Sequence, residues 1–474
     1  MGRAPQVQKL AQALTQELSG EPALIAVDVS ADDLLALHAA NSSRYPVLLQ
    51  STAANPRTGR FDILMAFPGE RLRLMADGSL YGCAREQTFL QSLDAWIDHE
   101  SLGPLPSGIA ASLPFRGGWF LYLGYELMRE IEPRLRSALP ACGMAAEAVR
   151  IPAGIVRCCA TDQAWIVAEP GCGHLAQRML ADIKNRPALR PSGPVIEGAV
   201  FEEAPEHFLS AVETALEHIR AGDIYQANLS RSWQARLSTT ARPQDVYRRL
   251  SRANAAPFAA IVRLDHDTIV SSSPERLIEI FDGMISTRPI AGTRPRSSDI
   301  DLDLSLARQL CADPKERAEH TMLIDLERND LGRVCEAGTV EVDEFMTVES
   351  YAHVHHIVSN VRGKLRHGVT AGQAIAAVFP GGTITGCPKL RCMEIIGALE
   401  GTPRHAYTGS IGYLNRDGSL DLNILIRTLQ IRGTQISFRA GAGIVADSDP
   451  RRELEETRAK ARGLVAALTG ESKG

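Results

Sequence analysis

Residues 286–332 open as STRPIAGTRPR and run on into DPKERAEHTMLIDLERND before reaching Gly332. Pro289, Gly292, Thr293 and Pro295 favour a fixed loop with exposed backbone N–H groups, a shape that suits an anion. In the charged run, Met322, Leu323 and Leu326 recur at helical spacing, and Glu316 and Glu319 lie three apart on a neighbouring face. An anion-binding loop that feeds a helix with spare carboxylates can hold an acid together with the metal ion that neutralises it. The same letters also describe a plain surface loop and a solvated helix, and this stretch alone leaves both readings open.

The flanking segments add pattern. PEHFLSAVETALEHIRAGD (205–223) places Phe208, Val212, Ala215 and Ile219 on one helical face, with Gly222 as its stop. IYQANLSRSW then reads as a strand, with Tyr225 and Ala227 on one side and Gln226 and Asn228 on the other. His353, His355 and His356 have the look of a metal cluster, but on a strand His356 faces away from the other two, and zinc needs further ligands. FPGGTITGCPKLRCMEIIGALEG (379–401) is a Gly-rich turn entering a helix at Pro388. It lacks P-loop spacing, so it suits an organic anion better than a nucleotide, with Lys389 either a point charge or solvated. HAYTGSIGYLNRDGSLDLNILIRTLQI reads as two strands joined at NRDG. RRELEETRAKARGLVAALTG is an amphipathic helix with Glu456 and Lys460 four apart.

Four motifs in one order carry a family resemblance: PIAGTRPR, AEH..L.DLERNDLGRV, FPGGTITGCPKLRCMEII and AGAGIVADS. They resemble the chorismate-utilising enzymes. These are the synthase components of anthranilate and aminodeoxychorismate synthases, with isochorismate and salicylate synthases as cousins. The match runs from about residue 205 to the C-terminus. It implies an α/β fold with large antiparallel sheets packed at the core and helices outside. It implies chorismate as substrate, Mg²⁺ as cofactor, and a separate glutamine amidotransferase subunit as the source of ammonia. Glu319 and Glu456 match the metal ligands. Gly292, Thr293, Tyr407, Arg427, Gly443 and Lys460 match substrate-binding positions. Glu275, in SPE, and His356 match candidate acid/base groups, His356 as proton donor to the departing hydroxyl. At the position of Gln226 the water-activating cousins have a lysine base. A glutamine takes no proton at neutral pH, which favours ammonia as nucleophile.

Composition bounds the rest. The chain has 474 residues, 45% hydrophobic and 23% charged, enough for a large core and ordinary for a globular protein. A net charge of −5 argues against a nucleic-acid partner, and no apolar run is long enough for a membrane span. The N-terminal residues lack a signal-peptide core, and nine scattered cysteines without a CxxC pair fit a reducing cytoplasm. Residues 1–190 read as mixed strand and loop with few helices, and Pro/Gly-rich residues 185–205 as a linker to a catalytic region at 205–470. LLQS followed by RFDILMA weakly resembles the family's tryptophan pocket. Its residues here are Ser51, Arg60, Phe61, Asp62, Pro257 and Phe258, with Asp62 for the ammonium and Phe61 for the indole.

The product turns on Ala291. Typical aminodeoxychorismate synthases have a lysine nucleophile there (PIKGT), which alanine cannot replace. YQANLS, FPGGTITG and TGSIGYL nonetheless look more like that enzyme, whose product leads to 4-aminobenzoate and folate. That is the expectation here. Anthranilate synthase component I, favoured by PIAGTRPR and Tyr407, is the alternative. A non-catalytic amino-acid-binding subunit is a third reading, disfavoured because every expected metal and substrate residue is present.

Overall fold

The computed structural model describes residues 23–53, 58–83, 86–101, 112–136, 143–189, 193–297, 299–350 and 354–470. Two large antiparallel sheets, of twelve and eleven strands, face one another. Alternation along the strands builds the layers. In the first sheet Val47, Ile63 and Met65 meet Phe120, Tyr122 and Ile411 of the second sheet in a shared core. Their neighbours Leu48 and Leu64 point outward against helices carrying Leu34, Met179, Leu250 and Leu464. The outer face of the second sheet buries Trp119, Leu121 and Leu422 against Trp96, Ile375 and Ile324. The layers therefore run helix, sheet, sheet, helix, the α/β architecture with peripheral helices that the motifs imply.

Each sheet has one seam. In the first, Val47–Gln50 pairs with Phe258–Arg263; in the second, Gly118–Leu123 pairs with Ser410–Asn415. On one side of each seam all strands come from the first 170 residues, and on the other side all come from beyond residue 195. The expected strands at PVLLQSTA, GRFDILMAF and GGWFLYL are present as Val47–Gln50, Phe61–Ala66 and Gly118–Leu123. The amino-terminal region also holds helices Ala31–Ala40, Phe89–Glu100 and Gly173–Lys184, more helix than its sequence suggests. The segment read as a linker contains a strand, Ile196–Glu202, which pairs along Gln226–Leu237. Its turn-forming residues cap that strand without preventing it. Among the described residues no helix is long and apolar enough to cross a membrane.

Candidate active site

The loop of residues 286–295 becomes a strand, Ile290–Pro295, on the edge of the second sheet beside Val354–Lys364. A register shift between Ala291 and Thr293 puts Gly292 at φ +62°, where glycine is favoured. A Cβ at Gly292 would stand 2.8 Å from the Glu316 carboxylate. The Gly292 carbonyl accepts a hydrogen bond from His356 Nδ1 at 3.1 Å, and Thr293 lies opposite His356 in the ladder. A carbonyl only accepts, so Nδ1 carries the proton and Nε2 is the ring's acceptor nitrogen. Burial, seconded by the positive charge of Arg427, depresses the His356 pKa to about 4. His356 is thus neutral near pH 7. With so low a pKa the ring is a weak base, and the Nε2 lone pair is what it offers the site near pH 7.

The charged run forms the helix Pro314–Gly332. Pro314 begins it, and the Asp313 carboxylate accepts from the N–H groups of Lys315 and Glu316 while pairing with Arg294 at 2.9 Å. Glu319, one turn in, accepts a hydrogen bond from Gln226 Nε2 at 3.2 Å. Gly443 lies directly beneath this pair, since a Cβ there would approach Gln226 Nε2 to 2.5 Å and Glu319 Oε1 to 3.7 Å. The buried Oε1 of Gln226 and Oδ1 of Asn228 have no partner, so one side of this strand presents two amide oxygens to the site. Tyr407 is buried close by; a Cβ at Gly441 would sit 2.7 Å from its hydroxyl and 2.6 Å from Asn228 Oδ1.

Glu275 follows the strand Asp267–Ser273 and is 4% exposed. Burial raises its pKa to about 7, opposed by the nearby Thr383 side chain, the Ile290 backbone and the charges of Arg427 and Lys460, and among the described residues its buried Oε1 has no hydrogen-bond partner. It can therefore hold a proton at neutral pH and give it up. Arg427, whose charge reaches both Glu275 and His356, sits at φ +52°, a strained backbone position for a residue with a Cβ.

Glu456 and Lys460, one turn apart on the helix Pro450–Thr469, pair at 2.7 Å. Both act electrostatically on Glu319. Its proton affinity is raised by burial and then by Glu316, with Glu456 adding to this and Lys460 opposing it. Among the described residues no three His, Cys, Asp or Glu side chains converge as a ready-made metal cluster. Glu319 and Glu456, two carboxylates from different helices that act on one another electrostatically, are still the residues that would hold a hard divalent cation, whose shell water and substrate oxygens would complete. His355 lies outside any such group, bound to Ser350 at 2.7 Å and Asp303 at 3.0 Å; His353 lies outside the described residues.

A second cavity lies between the sheets where the two seams meet. It encloses about 590 Å³, counting the part open to solvent. Ser51, Arg60, Phe61, Pro257 and Phe258 all line it, as the sequence suggested. Asp62 does not. Strand alternation turns it away from Phe61, into a buried pair with Arg157 at 2.7 Å and a hydrogen bond from the Ser51 N–H. The carboxylates that reach the cavity are Glu279 and Asp421, both bound to Arg276. Arg276 faces the cavity, and its chain neighbour Glu275 faces the catalytic groups.

The sequence reading missed Glu327, Asp330 and the true setting of Lys389. Lys389 is not solvated: its Nζ is ion-paired with buried Asp330 and bonds the Val378 carbonyl at 3.0 Å. The available signal was spacing, since residues 319, 323, 327 and 330 recur along one helical face.

The profile of the chorismate binding enzyme family matches residues 47–466, and the chain belongs to that family. It is 42% identical over 368 residues to an anthranilate synthase component I-like protein of Synechocystis, covering 77% of this chain and 76% of that one. It is 48% identical over 261 residues to aminodeoxychorismate synthase component 1 of Bacillus subtilis, covering 55% of each. Its fold matches the crystal structure of anthranilate synthase component I from Streptococcus pneumoniae with a TM-score of 0.74 at 30% identity, over 87% of this chain and 93% of that one.

Proposed function

We propose that the chain is the synthase component of an anthranilate synthase, joining ammonia to chorismate and releasing anthranilate and pyruvate. The observation that carries this reading is Ala291. It is buried beside Gly292, opposite Ile357 and next to the His356 register, and offers no side-chain nucleophile to the ring. With no lysine to occupy C2, ammonia itself adds there. The names of the Synechocystis and Streptococcus relatives lean the same way. This displaces the aminodeoxychorismate reading preferred from the motifs.

Ammonia forms the C–N bond at C2, both ring double bonds shift, the C4 hydroxyl leaves as water with a proton from Glu275, and the new ammonium gives up one proton in turn. The C2 proton is then removed, the C3–O bond breaks as a proton reaches the enolpyruvyl methylene, and pyruvate leaves an aromatic ring. His356, neutral with an acceptor Nε2, suits removal of that C2 proton. Gln226 has no base strength for activating water, which keeps the reaction with ammonia. Tyr407 and Arg427 hold the enolpyruvyl carboxylate, Arg427 as a bidentate fork. The Gly292–Thr293 backbone, Gly443 and Lys460 complete substrate binding. Glu319 and Glu456 would hold Mg²⁺, which would supply charge neutralisation for the ring carboxylate. No cysteine of these 474 residues sits in a G-x-C-x-G elbow, and in this reading a glutamine amidotransferase supplies the ammonia. High concentrations of ammonium at alkaline pH replace it.

The step assigned to His356 is tested with His356→Gln. The variant is expected to consume chorismate and ammonium but accumulate a non-aromatic amino acid that still carries the enolpyruvyl group, visible by mass spectrometry. Anthranilate formed at the wild-type rate would remove His356 from the second step. A second reading, aminodeoxychorismate synthesis, is favoured by the 48% identity to the Bacillus subtilis enzyme. The two readings differ in whether the product is aromatic before any lyase is added.

A further inference from the structure

The strand Gln226–Leu237 sends two amides into the site, and the two are held differently. Gln226 Nε2 donates to Glu319 at 3.2 Å, which fixes that amide, because an ionised carboxylate only accepts. Asn228 lies two residues on, on the same face, and its buried Oδ1 has no hydrogen-bond partner among the described residues. The Asn228 backbone, by contrast, is held on both sides. Its N–H donates to the Thr385 carbonyl at 2.8 Å, and its carbonyl accepts from Arg404 Nη2 at 2.7 Å.

The head of Asn228 lies beside that of Tyr407. A Cβ at Gly441 would stand 2.6 Å from Asn228 Oδ1, 2.7 Å from the Tyr407 hydroxyl and 2.7 Å from the Leu229 carbonyl, so glycine leaves both heads their room. The guanidinium that holds the Asn228 carbonyl also backs the Tyr407 ring, with Arg404 Cζ 5.5 Å from the ring centre. Arg404 is buried and is clamped in turn by Glu400 at 2.6 Å. One buried cation therefore sets two polar side chains from distant segments next to each other.

We propose that Asn228 is a further substrate-binding residue, whose Nδ2 donates to the same enolpyruvyl carboxylate that Tyr407 and Arg427 hold. The proposal rests on reading Tyr407 as a contact of that carboxylate. An amide turned by half a turn keeps its shape and exchanges its oxygen for its nitrogen. Turned so, Asn228 offers an N–H beside the Tyr407 hydroxyl, and two neighbouring donors match the two oxygens of a carboxylate. With the oxygen inward, the carboxylate would meet an acceptor, and both would stay unsatisfied. Gln226 cannot take this part, since its Nε2 is committed to Glu319. Asn228 adds direction to the charge that Arg427 supplies, because its strand is fixed on both sides.

The test is calorimetric titration of wild type, Asn228→Ala, Asn228→Asp and Tyr407→Phe with chorismate and Mg²⁺, without ammonium, followed by KM for chorismate and for ammonium. Pyruvate as inhibitor probes the enolpyruvyl end, and anthranilate probes the ring end. The chorismate Kd is expected to rise about tenfold in Asn228→Ala and further in Asn228→Asp, which has the same shape but repels a carboxylate. Inhibition by pyruvate is expected to weaken in both, while inhibition by anthranilate and the KM for ammonium stay in place. Chorismate affinity unchanged in both variants would overturn the proposal. So would a shift in the ammonium KM alone, which would put Oδ1 against the nucleophile instead. Should Asn228→Ala fail to fold, Asn228→Asp carries the test. Tyr407→Phe with wild-type affinity for chorismate and pyruvate would sink the reading of Tyr407 and the shared clamp with it. Weakened binding in the Asn228 variants of a protein whose product is not anthranilate would uphold the contact and sink the proposed reaction.

Discussion

Glu275 carries the clearest physical signature in the site. Its carboxyl has an ordinary value of 4.5 and is raised to about 7 in the folded chain. A raised carboxyl favours folding while it is protonated, and that contribution is lost as pH rises from about 4.5 through 7. Burying it as an anion then costs about 3 kcal/mol. Glu275→Gln is therefore expected to match wild type in Tm near pH 4.5 and to exceed it by several degrees near pH 8, while losing turnover. A Tm difference that is flat across this range would contradict the assignment. The SPE motif made Glu275 legible in the sequence, but its proton affinity was not, because that depends on burial and on Thr383, Ile290 and Arg427 arriving from three other segments. Asp62 shows the opposite failure. Its residue type fits an ammonium, and one step of strand alternation sends it to Arg157 instead.

At the scale of elements, the helix Pro314–Gly332 does most of the positioning. Its start was legible: Asp313 and Pro314 are a cap and first-turn pair, and the apolar spacing held. Its second row of carboxylates was less so, because acidic residues on a charged helix ordinarily face water. Only the packing of Gly382 and Leu326 shows that Glu327 does not. The strand at Ile196–Glu202 was hidden for a related reason, as Pro and Gly mark turns and say little of the short strand between them. The prediction at this scale concerns Glu319, held between the Gln226 amide and the charges of Glu316 and Glu456. Glu319→Ala is expected to lower kcat by roughly a hundredfold and to weaken the Mg²⁺ response, with the thermal transition retained. Turnover insensitive to a chelator would defeat the metal assignment.

Across the whole molecule, the two seams explain why the region before residue 170 and the region after 195 are inseparable neighbours in both sheets. Layering and strand-rich content could be read from motifs and alternation. Strand order could not, because the seam pairs Val47–Gln50 and Phe258–Arg263 are about two hundred residues apart in sequence. The cavity at the seams touches the catalytic side through one peptide, with Arg276 in its wall and Glu275 beyond. We propose tryptophan as its ligand, with the indole between Phe61 and Phe258 and the Arg276–Asp421–Glu279 cluster as its polar end. Tryptophan is expected to raise the Tm of wild type, to slow product formation, and to do neither in Phe258→Ala. No thermal shift in wild type would exclude the cavity as a tryptophan site.

The most direct test of the account is the identity of the product formed by this chain alone from chorismate, Mg²⁺ and ammonium. The account predicts fluorescent anthranilate and an equal amount of pyruvate, with no added lyase. A non-fluorescent product that becomes 4-aminobenzoate only when aminodeoxychorismate lyase is added would contradict it.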